Sequence, residues 1–346
     1  MERKNRSVAV TGATGLVGSY VVAELIRRGY RRISLPVRNV VRIDRLYRVL
    51  EREGVGLAGV ELTVAEVSFD DSAALAGAFK GAETVYHCAA AVSLGALDGP
   101  MLIEGNVAIV SNVVDAALDS GVAKLVHVSS IAALGSAPAG VKYIDETMLP
   151  ESAEGLSAYY TGKYLSERVV ENAAGRGFKS IIVNPAAILG TGDDYKSGST
   201  VMIPLMAGGI PFYTEGVTAF VDVRDVARAM VELSESGDKV VGERFLLIGA
   251  NMTYHRFLDL CAEASGRRKP WIRVGRLALG AGWRAASLWG MITGKVYLLT
   301  KDVTDVMQTK TYYSTDKIKK TINFEFTPIE HTIDRVVKEY LAQKNG

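Results

Sequence analysis

Ser7-Val8-Ala9-Val10 runs straight into Thr11-Gly12-Ala13-Thr14-Gly15-Leu16-Val17-Gly18. The first four residues are a short apolar, partly β-branched run that reads as a strand. From Leu16 to Arg28 the apolar residues Leu16, Val17, Tyr20, Val21, Ala23, Leu25 and Ile26 recur at helical spacing, and Gly29 ends the run. Gly12, Gly15 and Gly18 stand where the strand must turn into the helix. Glycine accepts positive φ and has no Cβ, so the backbone can turn sharply and an anion can approach it. The helix N-terminus then offers free N–H groups and a partial positive charge. The spacing is G-x-x-G-x-x-G, and three glycines alone are a weak signal. A strand before them and a helix after them supply the context of a dinucleotide-binding turn.

Working outward, strands and helices alternate. Further strands are expected at Ile33–Val37, Gly59–Val67, Thr84–Ala89, Lys124–Ser129 and Ser180–Val183, with helices at Ser72–Phe79, Asn106–Ser120 and Ala158–Ala174. Strands that are apolar at nearly every position predict a parallel sheet covered on both faces, an α/β Rossmann-type doubly wound fold. After Pro185 the rhythm breaks. Gly190–Ser199 reads as a loop, Thr218–Ser234 as a helix and Arg244–Ile248 as a strand returning to the sheet. The expected division is a Rossmann domain of residues 1–186 and 220–248, and a smaller, mostly helical C-terminal substrate domain of 187–219 and 249–346.

The chain has 346 residues, 48% of them hydrophobic, with 40 basic against 38 acidic side chains, a formal charge of +2. That length and composition suffice for a large core, and no long single-sign block argues for a nucleic-acid partner. The two cysteines, Cys88 and Cys261, make no disulfide framework or zinc pattern. His87, His127, His255 and His331 lack metal-ligand spacing, so no metal is expected. A reduced, cytoplasmic setting is the simplest reading, and the polar start Met1–Arg6 gives no sign of a leader. Leu277–Thr300 comes nearest to a membrane segment. Arg284 and Lys295 interrupt it, leaving an apolar run of about ten residues where a span needs about 20. A helix lining a core or pocket is the favoured reading, and contact with a membrane surface is the second.

Which dinucleotide binds is decided at the end of the second strand. An acid there, about 20 residues beyond the glycines, would hold ribose hydroxyls, whereas an arginine suits a 2′-phosphate. Leu35-Pro36-Val37-Arg38-Asn39 has no acid and offers Arg38, which favours NADP(H) over NAD(H). Tyr159 and Lys163, four apart, share a helical face. An ordinary phenol titrates near 10, and a neighbouring ammonium favours the phenolate. Such a pair can pass a proton to or from a substrate oxygen while a hydride moves. Tyr-x-x-x-Lys is common by chance. It gains weight from Val126-His127-Val128-Ser129-Ser130, which brings Ser130 to the carboxyl end of a strand, where open α/β sheets bind ligands. A hydroxyl there can hold the reacting oxygen, although Ser130 could equally cap a turn.

These pieces together resemble the extended short-chain dehydrogenase/reductase family. The matching stretches, in order, are Thr11–Gly18, Glu66-Val67, His87-Cys88-Ala89-Ala90, Asn106-Val107, Val128-Ser129-Ser130, Tyr159 with Lys163, Asn184–Gly190 and Phe220–Ala227. The likeness extends over nearly the whole chain and is specific up to about residue 230. It implies that Thr14, Leu16 and Val17 join Gly12, Gly15 and Gly18 around a pyrophosphate. Glu66 and Val67 would flank the adenine, although the family more often has Asp at the first of these. Ala89, Ala90, Ala91 and Val128 would line the cofactor strands, and Pro185 and Ile188 would pack near the nicotinamide. Lys163 would bind the nicotinamide ribose, Asn106 would anchor a helix behind the active site, and Asp222 and Asp225 would be structural. Gly162 stands where the family often has Ser.

Within the family, Val37-Arg38-Asn39 is similar to dihydroflavonol 4-reductases and 3β-hydroxysteroid dehydrogenases, whereas sugar-nucleotide epimerases more often carry an acid there. The expected activity is therefore NADP(H)-dependent reduction of an apolar or aromatic carbonyl, or oxidation of the matching alcohol. The alternatives are a nucleotide-sugar epimerase or dehydratase and a non-catalytic NADP sensor. A homodimer through the helices Asn106–Ser120 and Ala158–Ala174 is expected from the family's habit.

Overall fold

The computed structural model describes residues 6–90, 99–135, 140–154, 157–192, 195, 198–293 and 301–345. Its first unit is the expected strand, β1 (Ser7–Thr11), followed by α1 (Leu16–Arg27) and β2 (Arg32–Val37). Then come α2 (Asp44–Arg52), β3 (Glu61–Glu66), α3 (Ser72–Phe79), β4 (Thr84–His87), α4 (Gly99–Asp119) and β5 (Lys124–Val128). β6 (Tyr143–Ile144), α5 (Ala158–Asn172), β7 (Lys179–Pro185), β8 (Ala187–Leu189), α6 (Met202–Ala207), β9 (Phe212–Tyr213) and β10 (Val217–Asp222) follow. The remainder is α7 (Val223–Glu235), β11 (Arg244–Leu247), β12 (Ala250–Thr253), α8 (Tyr254–Ser265), β13 (Ile272–Arg273), α9 (Arg276–Thr293), α10 (Lys301–Val306), β14 (Tyr312–Tyr313), α11 (Asp316–Ile322) and α12 (Ile329–Asn345).

Seven strands form one sheet in the order β3-β2-β1-β4-β5-β7-β11, and every neighbouring pair is parallel. The order reverses between β1 and β4, which is the crevice where open α/β sheets take ligands. Alternation along β1 sorts its side chains. Val8 and Val10 enter the core shared with α1 and α7, whereas Ala9 enters the core shared with α3 and α4. Tyr20, Leu25, Phe79, Leu125 and Phe245 are all fully buried. Side chains of this size contribute about 1.5–3 kcal/mol each when withdrawn from water. α4 is long and apolar enough to cross a bilayer by length and composition. Here it is a layer helix packed on α3 and α5.

A second apolar cluster, with Leu189, Met206, Phe220, Phe257, Ile333 and Val337, joins β8, β10, α6, α8 and α12. The sequence predicts one helix over Thr218–Ser234, but the chain is a strand to Asp222 and a helix only from Val223. Thr218, Phe220 and Val221 favour extended backbone, and the Asp222 carboxylate caps α7 by accepting Arg224 N–H at 2.8 Å. Asp222 also accepts from Thr332 at 2.8 Å and Arg335 at 2.7 Å, and Asp225 accepts from Thr327 N–H at 2.6 Å. Both carboxylates thus tie the late segment to α7. The stretch from Leu277, expected to line a core or pocket, begins as α9 with Leu277 and Ala281 exposed and Leu279 buried.

Candidate active site

Gly12 sits at φ +72°, and a Cβ there would meet the Cys88 and Ala89 backbone at 2.8 Å. The turn therefore touches the end of β4 across the switch point, and only glycine fits both the dihedral and the gap. A Cβ at Gly18 would lie 2.1 Å from the Gly12 oxygen, so α1 packs directly on the turn. The α1 N-cap is Gly15, in extended backbone and without a capping side chain. Thr14, Leu16 and Val17 at the turn are partly accessible. This glycine cradle, open to an anion at a helix N-terminus, fits a dinucleotide pyrophosphate.

Beyond β2, Arg38 is exposed and makes no ion pair among the described residues. Glu66, at the end of β3, accepts Val40 N–H at 2.9 Å, so one of its oxygens holds the backbone just past Arg38. Val67 N–H is tied to Val37 O at 2.9 Å. Ala89 N–H donates to Thr11 Oγ1 at 3.3 Å, and Ala89 and Ala90 are half-buried beside the turn. Ala91 lies outside the described residues. Val128 is half-buried at the end of β5, Pro185 is buried at the end of β7, and Ile188 is half-buried in β8.

Ser130 follows β5 and is half-buried. Its Oγ accepts Ala132 N–H at 3.1 Å, capping the 3-10 turn Ile131–Leu134. The capping alternative is thus real, yet accepting a bond leaves the hydroxyl hydrogen available to a substrate oxygen. The backbone at Ser130 is held from below: Asn184 Nδ2 donates both to Ser130 O at 2.9 Å and to Glu167 Oε1. The other Glu167 oxygen pairs with Arg244 Nη1 at 2.9 Å, and Arg244 also binds Glu171. Burial pushes the Glu167 carboxyl up, while Arg244 pulls it down.

α5 carries the other candidates. Tyr159 is 42% exposed and meets Tyr160 edge-on, with ring centroids 6.2 Å apart. Lys163 is half-buried one turn on. Its charge acts on the buried rings of His87 at the end of β4 and His127 in β5. Those two imidazoles are opposite each other in register and stacked, with centroids 5.2 Å apart. Burial, then Lys163, pushes His87 down to about 3. Burial, then His87 and Lys163, pushes His127 well below the usual histidine range. Both rings are therefore neutral near pH 7 and do not repel the lysine. Thr11 Oγ1 lies 2.7 Å from His87 Nδ1, linking this pair to the glycine turn. Asn106 is buried and donates to Leu102 O at 2.9 Å within α4. A Cβ on Gly162 would come 4.0 Å from Asn106 Cβ and 3.7 Å from Ile103 Cα, so the small residue lets α5 close on α4.

Tyr159, Lys163 and Ser130 thus belong to elements that pack together, since α5 rests on the 3-10 turn that Ser130 caps. Glu167, Asn184, Arg244 and the histidine pair were not singled out as site residues by sequence. The one local signal was Glu167 at i+4 from Lys163. Among the described residues no cluster of His, Cys, Asp or Glu is arranged to hold a metal. A cavity lined by Arg6, Glu83, Thr84, Lys124 and Ser234 lies at the amino ends of β4 and β5, the wrong end of the sheet for this chemistry.

The family model of the NAD dependent epimerase/dehydratase family matches residues 8–249. The chain belongs to that family. It is therefore an extended short-chain dehydrogenase/reductase, an NAD(P)-dependent enzyme of the oxidoreductase type. It is 32% identical over 267 residues to sterol demethylase protein B of Methylococcus capsulatus, covering 77% of this chain and 76% of the relative. It is 33% identical over 267 residues to cinnamoyl-CoA reductase 1 of Oryza sativa subsp. japonica, covering 74% and 75%. Among solved structures, gox2253 superposes with a TM-score of 0.79 at 28% identity, covering 98% of this chain and 99% of that one. PA4631, a nucleoside-diphosphate-sugar epimerase from Pseudomonas aeruginosa, has the same fold, with a TM-score of 0.76 at 22% identity and 99% coverage of both chains.

Proposed function

We propose that this enzyme reduces the carbonyl of an apolar or aromatic small molecule, or oxidises the matching alcohol, with NADP(H) as its redox partner. The observation that carries the reading is on α5: an exposed Tyr159 one turn from a half-buried Lys163, on a helix packed against the 3-10 turn that Ser130 caps. Gly12, Thr14, Gly15, Leu16, Val17 and Gly18 would hold the dinucleotide, with Arg38 on a 2′-phosphate. The bound nicotinamide supplies or accepts the hydride. Ser130 Oγ–H donates to the carbonyl oxygen and keeps it in reach of Tyr159. The Tyr159 phenol gives its proton to that oxygen as negative charge grows there, and the Lys163 ammonium stabilises the charge left on the phenol oxygen. In the oxidising direction both steps reverse.

Two features support the finer choices. Arg38 has no ion pair among the described residues, and Glu66, in register with Val37 across β2 and β3, has one oxygen committed to the Val40 backbone. Two relatives above 30% identity bear the names of a cinnamoyl-CoA reductase and a sterol demethylase protein, both pointing to aromatic or alicyclic substrates. In this reading residues 1–186 and 220–248 hold the cofactor, and 187–219 and 249–346 shape the substrate side. Two copies pair through α4 and α5, which size-exclusion chromatography at micromolar concentration tests directly.

The deciding experiment follows NADPH absorbance with a panel of aromatic and alicyclic aldehydes and ketones. NADH is run in parallel, and nucleoside-diphosphate hexoses form a separate arm. Oxidation of NADPH by one or more apolar carbonyls is the expected result. Epimerised or dehydrated sugar nucleotide, with no carbonyl reduced, would reassign the enzyme to the other branch of its family.

A further inference from the structure

The last third of the chain distributes charge unlike the rest. From Ala264 to Lys301 there are 8 Lys or Arg residues and no Asp or Glu, and all 3 tryptophans of the chain fall in the same stretch. Elsewhere 32 cations face 38 carboxylates, so a net-acidic body carries one wholly cationic, tryptophan-bearing segment.

The first part of that segment is exposed, from the end of α8 through β13 to the start of α9. Gly266 ends α8 in the left-handed conformation, and Arg267, Arg268 and Lys269 follow, all exposed. β13 then pairs in parallel with β9, Ile272 opposite Phe212 and Arg273 opposite Tyr213. Residues in register share a face of the pleat, and Phe212 and Ile272 are 50% and 40% exposed. Trp271 is 52% exposed, with the Arg268 guanidinium 4.1 Å over its ring. Leu277, in the first turn of α9, is 91% exposed, and Arg276 beside it is exposed as well. Lys269 is paired with Glu263 at 2.6 Å, whereas Arg267, Arg268, Arg273 and Arg276 make no ion pair among the described residues.

We propose that the face built from β9, β13 and the first turn of α9 docks on a bilayer surface that contains anionic phospholipid. The charge points to an anionic partner, and the aromatic and aliphatic side chains point to one with an apolar interior. Tryptophan partitions to the headgroup level with its ring in contact with acyl chains, and arginine stems lie along apolar surface while their heads reach phosphates. A nucleic acid would satisfy the arginines but offers no apolar medium to Ile272 and Leu277. The proposal does not depend on which carbonyl the enzyme reduces, and its test uses no substrate.

The test sediments the full chain with vesicles of phosphatidylcholine alone and of phosphatidylcholine with phosphatidylserine, while tryptophan emission is recorded. Binding to the phosphatidylserine vesicles only, with a blue shift and a steep loss on added salt, is expected. The triple variant Arg268→Gln, Arg273→Gln, Arg276→Gln should bind about 10²-fold more weakly, at about fivefold per cation. Trp271→Ser with Ile272→Ser should also weaken binding. Both variants should keep the parent's far-ultraviolet circular dichroism and urea-unfolding midpoint, which verifies the fold. Equal binding to the two vesicle types, or parental affinity in the triple variant, would overturn the proposal. So would retention on duplex DNA at a salt concentration that already releases the vesicles.

Discussion

The two ends of α5 are built on opposite terms. Over the first two turns Tyr159 is exposed and Lys163 is half-buried, and neither side chain makes a hydrogen bond or ion pair among the described residues. One turn past Lys163, Glu167 is buried, bonded to Asn184 and paired with Arg244. A group that must exchange protons with a substrate has to be free of internal partners, and a group that must not move has to be fully committed to them. The single helix joins the two: its outer end would present the proposed chemistry, and its inner end fixes, through Asn184, the backbone that carries Ser130.

The sharpest way to break this contrast is Tyr159→Phe. The ring and its edge contact with Tyr160 stay, so stability should change by no more than about 0.5 kcal/mol, as for a surface substitution. Turnover should fall about 10²–10⁴-fold, the usual size of general acid–base catalysis. Steady-state NADPH oxidation alongside urea unfolding measures both. Near-normal turnover in a folded Tyr159→Phe protein would remove the outer end of α5 from the mechanism.

At the inner end the expectation reverses, with stability failing first. Glu167→Ala leaves Arg244 with one carboxylate fewer in a buried site, and breaking such a pair costs about 3–5 kcal/mol. Glu167→Gln keeps the shape and one acceptor for Asn184, so it should lose less. If Glu167→Gln folds as the parent does yet turns over more slowly with cofactor affinity unchanged, the effect runs through Ser130. An unfolding midpoint in Glu167→Ala equal to the parent's would show that the pair is not under strain of burial.

The contrast also explains what was legible in the sequence. The turn from β1 to α1 is encoded within a dozen consecutive residues, and the seven-stranded sheet follows from repeated local patterns of the same kind. The arrangement beneath the site is not local. Asn184 reaches back to Ser130, and Arg244 in β11 reaches Glu167 in α5. Each of these is an ordinary polar residue until the sheet order is known. His87 and His127 carry no metal-ligand spacing in the sequence, and their register across β4 and β5 is what makes them a pair. The sequence predicts helix over β10 because Thr218–Val221 carries apolar residues at a spacing that continues into α7. Only the cap at Asp222 separates the two elements.

A smaller effect sharpens the contrast at the cofactor edge. Arg38, like Tyr159, is exposed and without an ion pair among the described residues. If it holds a 2′-phosphate, Arg38→Asp loses charge-assisted hydrogen bonds worth about 1.5–3 kcal/mol. The Kd for NADPH should rise about 10–10²-fold while that for NADH changes little. Fluorescence titration with both cofactors decides it, and equal weakening of the two would return Arg38 to the solvated surface.

The smallest effect concerns the committed layer under Lys163 and is read as a slope. In the folded chain burial keeps His87 neutral down to about pH 3, and His127 is held well below the usual range. In the unfolded chain both rings take a proton near pH 6.5. Below about 6.5 the unfolded state therefore binds more protons, and stability is lost as pH falls, by up to about 1.4 kcal/mol per pH unit for each ring. Glu167 and Glu146, whose carboxyls burial pushes up, act in the opposite sense. The total slope thus mixes both signs, and the informative quantity is the difference between parent and variant. His127→Phe keeps an aromatic ring stacked on His87 and removes one titrating group. Between about pH 6 and pH 4 its urea-unfolding free energy should fall less steeply than the parent's, by about 1.4 kcal/mol per unit at most, whatever the offset between the two proteins at pH 7. Parallel slopes would mean that His127 already exchanges its proton in the folded state. The layer beneath Lys163 would then be as open to solvent as the turn above it, and the division of α5 into a reactive and a fixed end would fail at that point.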